Sequence, residues 1–148
     1  MKLSEIISVE RVATGVVVAS KKRALEELAK RLAEGAGNVD VEEILAALIA
    51  REKLGSTALG HGVAIPHGRI ASVKTSVGAF LQLHHPVDYD SHNSQPVDLI
   101  FGLLVPQDAT GEHLKHLATI AEKFSDDTFC ERARRAADAA GLYALLIH

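Results

Sequence analysis

The sequence predicts an α/β (α+β) fold: a three-layer α/β/α sandwich around a mixed sheet. The predicted order is strand, two helices, three strands, three helices. Three observations predict it. Apolar residues recur at helical spacing over 25–32, 41–49 and 114–124. Two β-rich runs, 75–83 and 97–105, are almost continuously apolar, as in strands covered on both faces. Side chains suited to helix capping stand ahead of the helical stretches, and glycines end the first of them.

The elements follow in order. A short helical turn opens the chain, and Gly15-Val16-Val17-Val18-Ala19 reads as a buried strand. Ser20 then caps a helix whose stripe is Leu25, Leu28, Ala29 and Leu32, stopped by Gly35 and Gly37. Asp40 with Glu43 resembles a capping box, and Val41, Ile44, Leu45, Leu48 and Ile49 carry the second helix to about residue 53. Arg51 falls in its last turn. Strands are expected at Val63 to Pro66, Thr75 to Leu83 and Val97 to Val105. Thr110 caps a third helix with Leu114, Leu117, Ala118, Ala121 and Phe124 inward. Asp126 to Ala137 and Asp138 to Ile147 read as two more.

The 148 residues suit one domain, 1–148, with 47% hydrophobic residues to build its core. At 4% aromatic and without Trp, that core is mainly Leu, Ile, Val and Ala. A net charge of −3 argues against a nucleic-acid binder. The clusters Lys21-Lys22-Arg23 and Arg132, Arg134, Arg135 read as solvated helix faces. Cys130 is the only cysteine, compatible with a reducing cytosol. The N-terminus lacks the apolar segment of a signal peptide, and the longest apolar run, Leu99 to Val105, is too short to cross a bilayer. A cytoplasmic protein without membrane insertion is expected.

The stretch Leu59-Gly60-His61-Gly62-Val63-Ala64-Ile65-Pro66-His67-Gly68-Arg69 concentrates the chemistry. Val63 and Ile65 alternate as in a half-buried strand, and Pro66 stops the ladder or puts it at an edge. Gly60, Gly62 and Gly68 leave room for close approach, with Gly68 freeing the next turn. His67 is thus delivered at a strand end. Histidine is the side chain whose neutral, nucleophilic nitrogen is available near pH 7. A lone histidine near a turn also suits a plain surface role.

Arg51 to Gly60, running into Gly62-Val63-Ala64-Ile65-Pro66-His67-Gly68, resembles the active-site signature of the fructose/mannitol-type enzyme IIA domains of the bacterial phosphotransferase system. Supporting stretches are Ser20 to Glu26, Gln95 to Pro106 and His113-Leu114. Within that superfamily the chain is most similar to the stand-alone nitrogen-regulatory enzyme IIA. The resemblance implies the same three-layer fold and a phosphocarrier that takes a phosphoryl group from an HPr-like phosphohistidine protein. It implies regulation of partners such as potassium-transport or sensor-kinase components by phosphorylation state. The alternative is a sugar-specific enzyme IIA that passes the group to an enzyme IIB.

Under that resemblance His67 is the acceptor, with the phosphoryl group on Nε2 (tele-phosphohistidine). His113, in a first helical turn where the macrodipole disfavours a protonated ring, is placed to donate to a phosphoryl oxygen. A buried histidine bonded to a backbone carbonyl fits that position too. Arg51 offers fixed donors to a phosphoryl group; by itself it also reads as a helix C-terminal arginine. His61 either tunes charge near the acceptor or is simply exposed. A Walker-type loop is missing, so the donor is a protein rather than a nucleotide, and neither cofactor nor metal is required. A rival zinc site would draw on His113 and His116 at i, i+3 with His61, His67, His84-His85 and His92, but lacks the usual ligand motifs.

Overall fold

The structure, a computed structural model, describes residues 2–91, 93, 95–109 and 111–148; of Glu112, His113 and Leu114 it describes the helical backbone alone. Thr110 and His92 lie outside the described residues.

Two 3₁₀ turns, Leu3–Glu5 and Val9–Arg11, lead into strand β1 (Val12–Val16). Helices α1 (Lys21–Gly35) and α2 (Val41–Lys53) follow. Then come β2 (Ala58–Gly60), β3 (Val63–Ala64), β4 (His67–Ile70), β5 (Val77–Val87) and β6 (Val97–Pro106). Helices α3 (Gly111–Lys123), α4 (Asp127–Arg135) and α5 (Ala139–Ile147) close the chain. The sheet order is β1-β5-β6-β3-β2, with β4 also on β6. The pairs β1·β5, β3·β6 and β4·β6 are parallel; β5·β6 and β2·β3 are antiparallel. The predicted mixed sheet is therefore present, but five strands rather than the expected three stand between α2 and α3, because Ala58–Gly60 forms β2 and the single strand expected from Val63 gives way to β3 and β4.

Side chains of β5 and β6 alternate between two cores. Ala79, Leu81, Ile100 and Leu104 join Leu25, Leu28, Leu32, Ile44 and Leu48 of α1 and α2. Phe80, Leu99, Phe101, Leu103 and Val105 join Ile120, Phe124, Cys130, Leu142 and Leu146 of the three C-terminal helices. That is the predicted three-layer sandwich. The second core holds the stacked pair Phe80–Phe124, with ring centroids 5.5 Å apart, and the four phenylalanines gather in that layer, whereas Tyr89 is buried in the first core. Gly102 is needed in β6, because a Cβ there would meet Leu28 Cδ2 at 2.5 Å.

The caps form largely as the sequence predicts. Ser20 accepts from the Arg23 N–H, Asp138 from the Gly141 N–H, and Asp40 from the Glu42 N–H. Three expectations are corrected. The first strand is Val12–Val16, not 15–19. Its buried pair is Val12 and Ala13; Gly15, at φ +63°, sits where the register to β5 shifts, and Val17 emerges 75% exposed. The predicted strand Val63 to Pro66 is interrupted, not terminated. Pro66 cannot donate, but its carbonyl accepts from Leu103 N–H at 3.0 Å and pairing resumes at His67. Gly68 lies inside β4 rather than in a turn, where a Cβ would stand 3.0 Å from Ala47 Cβ of α2.

Candidate functional site

Two elements meet at His67. Helix α2 is docked on the sheet by its Ile44–Leu48 stripe and by the close Ala47–Gly68 approach, and its last turn carries Arg51 past the strand edge. The helix ends at Leu54 and Gly55, and Gly55 has φ +146°. The chain then returns through Thr57, whose carbonyl accepts from Ile65 N–H at 3.1 Å. His67 and Arg69 lie on the same side of β4, opposite Leu103 and Val105 of β6.

The imidazole is partly buried and held between partners of opposite kind. His67 Nδ1 lies 3.0 Å from the Ile65 carbonyl, which can only accept, so Nδ1 carries the proton. Arg51 Nε–H donates to His67 Nε2 at 3.3 Å, so Nε2 presents its lone pair. Arg51 Nη1 also donates to the Gly55 carbonyl at 2.9 Å, which ties the guanidinium down. Burial holds the ring below the ordinary histidine range; the Ile65 bond opposes this, Arg51 lowers it further, Glu52 raises it and Arg69 lowers it. The result is a neutral imidazole beside a fixed cation at the mouth of a cleft. That cleft, of about 410 Å³, is walled by Ala47, Ala50, Leu54, Val105 and Leu117.

Arg69 donates to the carbonyls of Gln107 (3.1 Å) and Ala109 (3.4 Å) and so holds the segment that enters α3. His113 is the third residue of that helix, one turn ahead of Leu117, which lines the cleft. Its place in a first helical turn agrees with the sequence, whereas the role of its ring and the Thr110 cap lie outside the described side chains.

His61 does not join this site. It takes a left-handed conformation (φ +57°) in the β2–β3 turn, and its Nδ1 pairs with Asp127 of α4 at 2.6 Å. Val63 and His67 are matched to Leu99 and Leu103, four strand residues apart or about 13 Å. Gly62 leaves room for Arg134 rather than for a phosphoryl group, since a Cβ would meet that guanidinium at 2.6 Å. Arg134 binds both Asp98 oxygens (3.0 and 2.9 Å) and the His61 carbonyl, so it is a clasp and not a solvated face. Among the described residues, no group of three or more His, Cys, Asp or Glu converges as a metal site would require.

Sequence reasoning missed a polar cluster behind the histidine. Glu52 is buried and accepts from Lys21 Nζ (3.0 Å), Thr57 N–H (3.1 Å), the Thr57 hydroxyl and the Tyr89 hydroxyl (3.2 Å). Lys21, read as solvated, is 17% exposed and lies over the Tyr89 ring. One signal was available: Glu52 continues the buried stripe Ile44, Leu48 at the next i+4 position, where a carboxylate must find partners.

Fold and site together define an α/β domain that offers a neutral, cation-flanked imidazole at a strand edge. The chain belongs to the EIIA 2 family of the phosphoenolpyruvate-dependent sugar phosphotransferase system, whose model matches residues 5–148. It is 40% identical over 146 residues to a nitrogen regulatory protein of Bradyrhizobium diazoefficiens, covering 99% of this chain and 95% of that one. It is 41% identical over 147 residues to one of Pseudomonas aeruginosa, covering 99% and 96%. The crystal structure of nitrogen regulatory protein IIA-Ntr from Neisseria meningitidis matches with TM-score 0.92 at 43% identity, covering 97% of this chain and 98% of that one. IIA mannitol from Escherichia coli shares the fold, with TM-score 0.78 at 24% identity over 95% and 98% of the two chains. No described helix is long and apolar enough to cross a membrane.

Proposed function

We propose that this protein is a phosphocarrier of the nitrogen phosphotransferase system, a single EIIA unit over residues 1–148 whose acceptor is His67 Nε2. The observation that carries the reading is the pair of opposed contacts on the ring: Nδ1–H on the Ile65 carbonyl and Nε2 facing Arg51. The full-length likeness to nitrogen regulatory proteins supports the branch.

The step balances without a cofactor. The donor is an HPr-like phosphohistidine protein. The Nε2 lone pair attacks its phosphorus, an N–P bond forms, and the donor's own N–P bond breaks with the electron pair leaving on its imidazole. The incoming group displaces Arg51 Nε–H from the lone pair, and the same guanidinium then faces the phosphoryl oxygens. Because Nδ1 keeps its proton, the phosphorylated ring is cationic, and onward transfer releases a neutral imidazole. His113, at the positive end of α3, is the second donor to those oxygens. The apolar rim of the cleft, with Leu54 84% exposed, suits docking of another protein. A phosphoryl group adds nearly two negative charges at that rim, which suits recognition of regulated partners such as potassium-transport or sensor-kinase components by phosphorylation state. A cytoplasmic setting accords with these partners.

Incubation with a phosphorylated HPr-type donor is expected to give one acid-labile, base-stable phosphoryl group per chain, absent in His67→Ala. Labelling of His67→Ala at the wild-type rate overturns the assignment. Efficient onward transfer to an enzyme IIB with sugar uptake would favour the sugar branch instead.

A further inference from the structure

We propose that Glu52 is a positioning residue for phosphoryl transfer at His67, setting through Thr57 and Ile65 which ring nitrogen meets the phosphoryl group. The inference rests on the phosphocarrier reading above and adds to it a residue outside the cleft. Glu52 is 9% exposed, and each carboxylate oxygen has two donors: Lys21 Nζ and Thr57 N–H on Oε1, the Thr57 and Tyr89 hydroxyls on Oε2. Tyr89 is fully buried, and burial, with the Glu52 charge, pushes its phenol far above the ordinary range, so it stays a donor.

Two chains of hydrogen bonds run from position 52 to the ring, one from this cluster and one from the backbone. In one, Glu52 fixes Thr57, the Thr57 carbonyl accepts from Ile65 N–H at 3.1 Å, and the Ile65 carbonyl accepts from His67 Nδ1–H at 3.0 Å. In the other, the Glu52 carbonyl accepts from Gly55 N–H at 3.1 Å and the Gly55 carbonyl accepts from Arg51 Nη1, whose Nε–H faces His67 Nε2. The Nδ1 contact therefore traces back to the Glu52 carboxylate, whereas the Nε2 contact rests on the backbone carbonyl of position 52, which any residue there supplies. Stability alone does not call for a carboxylate there. Position 52 continues an apolar stripe, and replacing a whole buried ion pair by well-packed apolar side chains is often neutral or stabilising, although removing Glu52 alone strands Lys21 and the Thr57 N–H and costs stability. What an apolar residue cannot do is accept from Thr57.

The test uses Glu52→Leu, which keeps volume but cannot accept, and Glu52→Gln, which keeps an acceptor without the charge. Two readouts are taken: the ¹⁵N tautomer and titration of His67 in the unphosphorylated protein, and the transfer rate from a phosphorylated HPr-type donor. Glu52→Leu is expected to lose the fixed Nδ1–H tautomer and to slow transfer about 10- to 100-fold, the effect of an outer partner that orients a working histidine. Glu52→Gln is expected to restore the tautomer and most of the rate. Among the described residues, the charged groups acting on the ring are Arg51 and Glu52 on α2 and Arg69 on β4. Loss of the Glu52 charge lowers the His67 titration midpoint in both variants. If Glu52→Leu does not fold, Glu52→Asp, one methylene short of Thr57, carries the same expectation of a loosened tautomer and slower transfer. A wild-type tautomer and rate in Glu52→Leu or Glu52→Asp overturns the proposal. So does slowing that only tracks the unfolded fraction. Because the tautomer is read without any donor, a shifted tautomer with no phosphorylation of wild type would indict the phosphocarrier reading instead.

Discussion

Replacing Arg51 by alanine removes the cation that, among the described residues, touches the His67 ring. Its Nε–H lies 3.3 Å from Nε2, the proposed site of phosphorylation, so on that proposal the guanidinium is within contact of the phosphoryl oxygens as they arrive. A unit charge pair at about 4 Å in an effective dielectric of about 20 is attracted by ~4 kcal/mol. Arg51 is only partly buried, and Nη1 is already engaged on Gly55, so ~3 kcal/mol of transition-state stabilisation is a fairer figure. That corresponds to roughly a 100-fold loss in rate, in line with removal of one fixed oxyanion donor. Lysine at this position restores a charge but not the planar fork, and is expected to recover only part of the loss. The assay is rapid-quench transfer from a radiolabelled phospho-donor across pH. Since Arg51 lowers the His67 pKa, the acid limb of the alanine variant moves to higher pH. An unchanged rate, or an acid limb that moves the other way, refutes the role given to Arg51.

Three further outcomes follow from the same geometry. The His67 pKa lies below the ordinary 6.5, so the folded protein takes up this proton later than the unfolded chain. Stability present above pH 6.5 should therefore fall as pH drops through the folded value. Denaturant titrations between pH 7 and 5 should show a smaller fall in His67→Gln, and equal falls would contradict the shift. Gly68→Val is expected to cost about 1–3 kcal/mol, because its Cβ already meets Ala47 at 3.0 Å and α2 must move. That displacement carries Arg51 from the ring, so transfer should slow as well, and a fully active, undestabilised variant would show that α2 is not held this way. His61→Ala should transfer at the wild-type rate and lose at most ~1 kcal/mol with the exposed Asp127 pair; a large rate loss would bring His61 into the site.

Local rules made much of the fold legible. Ser20, Asp40 and Asp138 cap where short polar side chains precede apolar stripes, and the near-continuous apolar runs of β5 and β6 reflect cover on both faces. The first strand was misplaced because the Val16-Val17-Val18 run outweighs Val12-Ala13 in apolar content. What decides the strand there is the register with β5 and the bend at Gly15, neither of which is local. His67 was legible because Pro66 and the glycines mark a break, although the break proves to be internal to the sheet edge. Arg51 meets His67 only because α2 packs on β4, a contact between residues 16 apart that periodicity does not encode. Gly62 and Gly68 are small for neighbours, Arg134 and Ala47, that no nearby sequence announces. Glu52 was the legible residue left unread, an acid on the apolar stripe.

The most direct measurement is long-range ¹H–¹⁵N correlation of the histidine rings before and after phosphorylation by an HPr-type donor. Before, His67 should show a protonated Nδ1 and a bare Nε2, as its contacts with Ile65 and Arg51 require. After, Nε2 alone should carry the N–P coupling while Nδ1 keeps its proton. Phosphorus on Nδ1, or on any other histidine with His67 unchanged, would contradict the account.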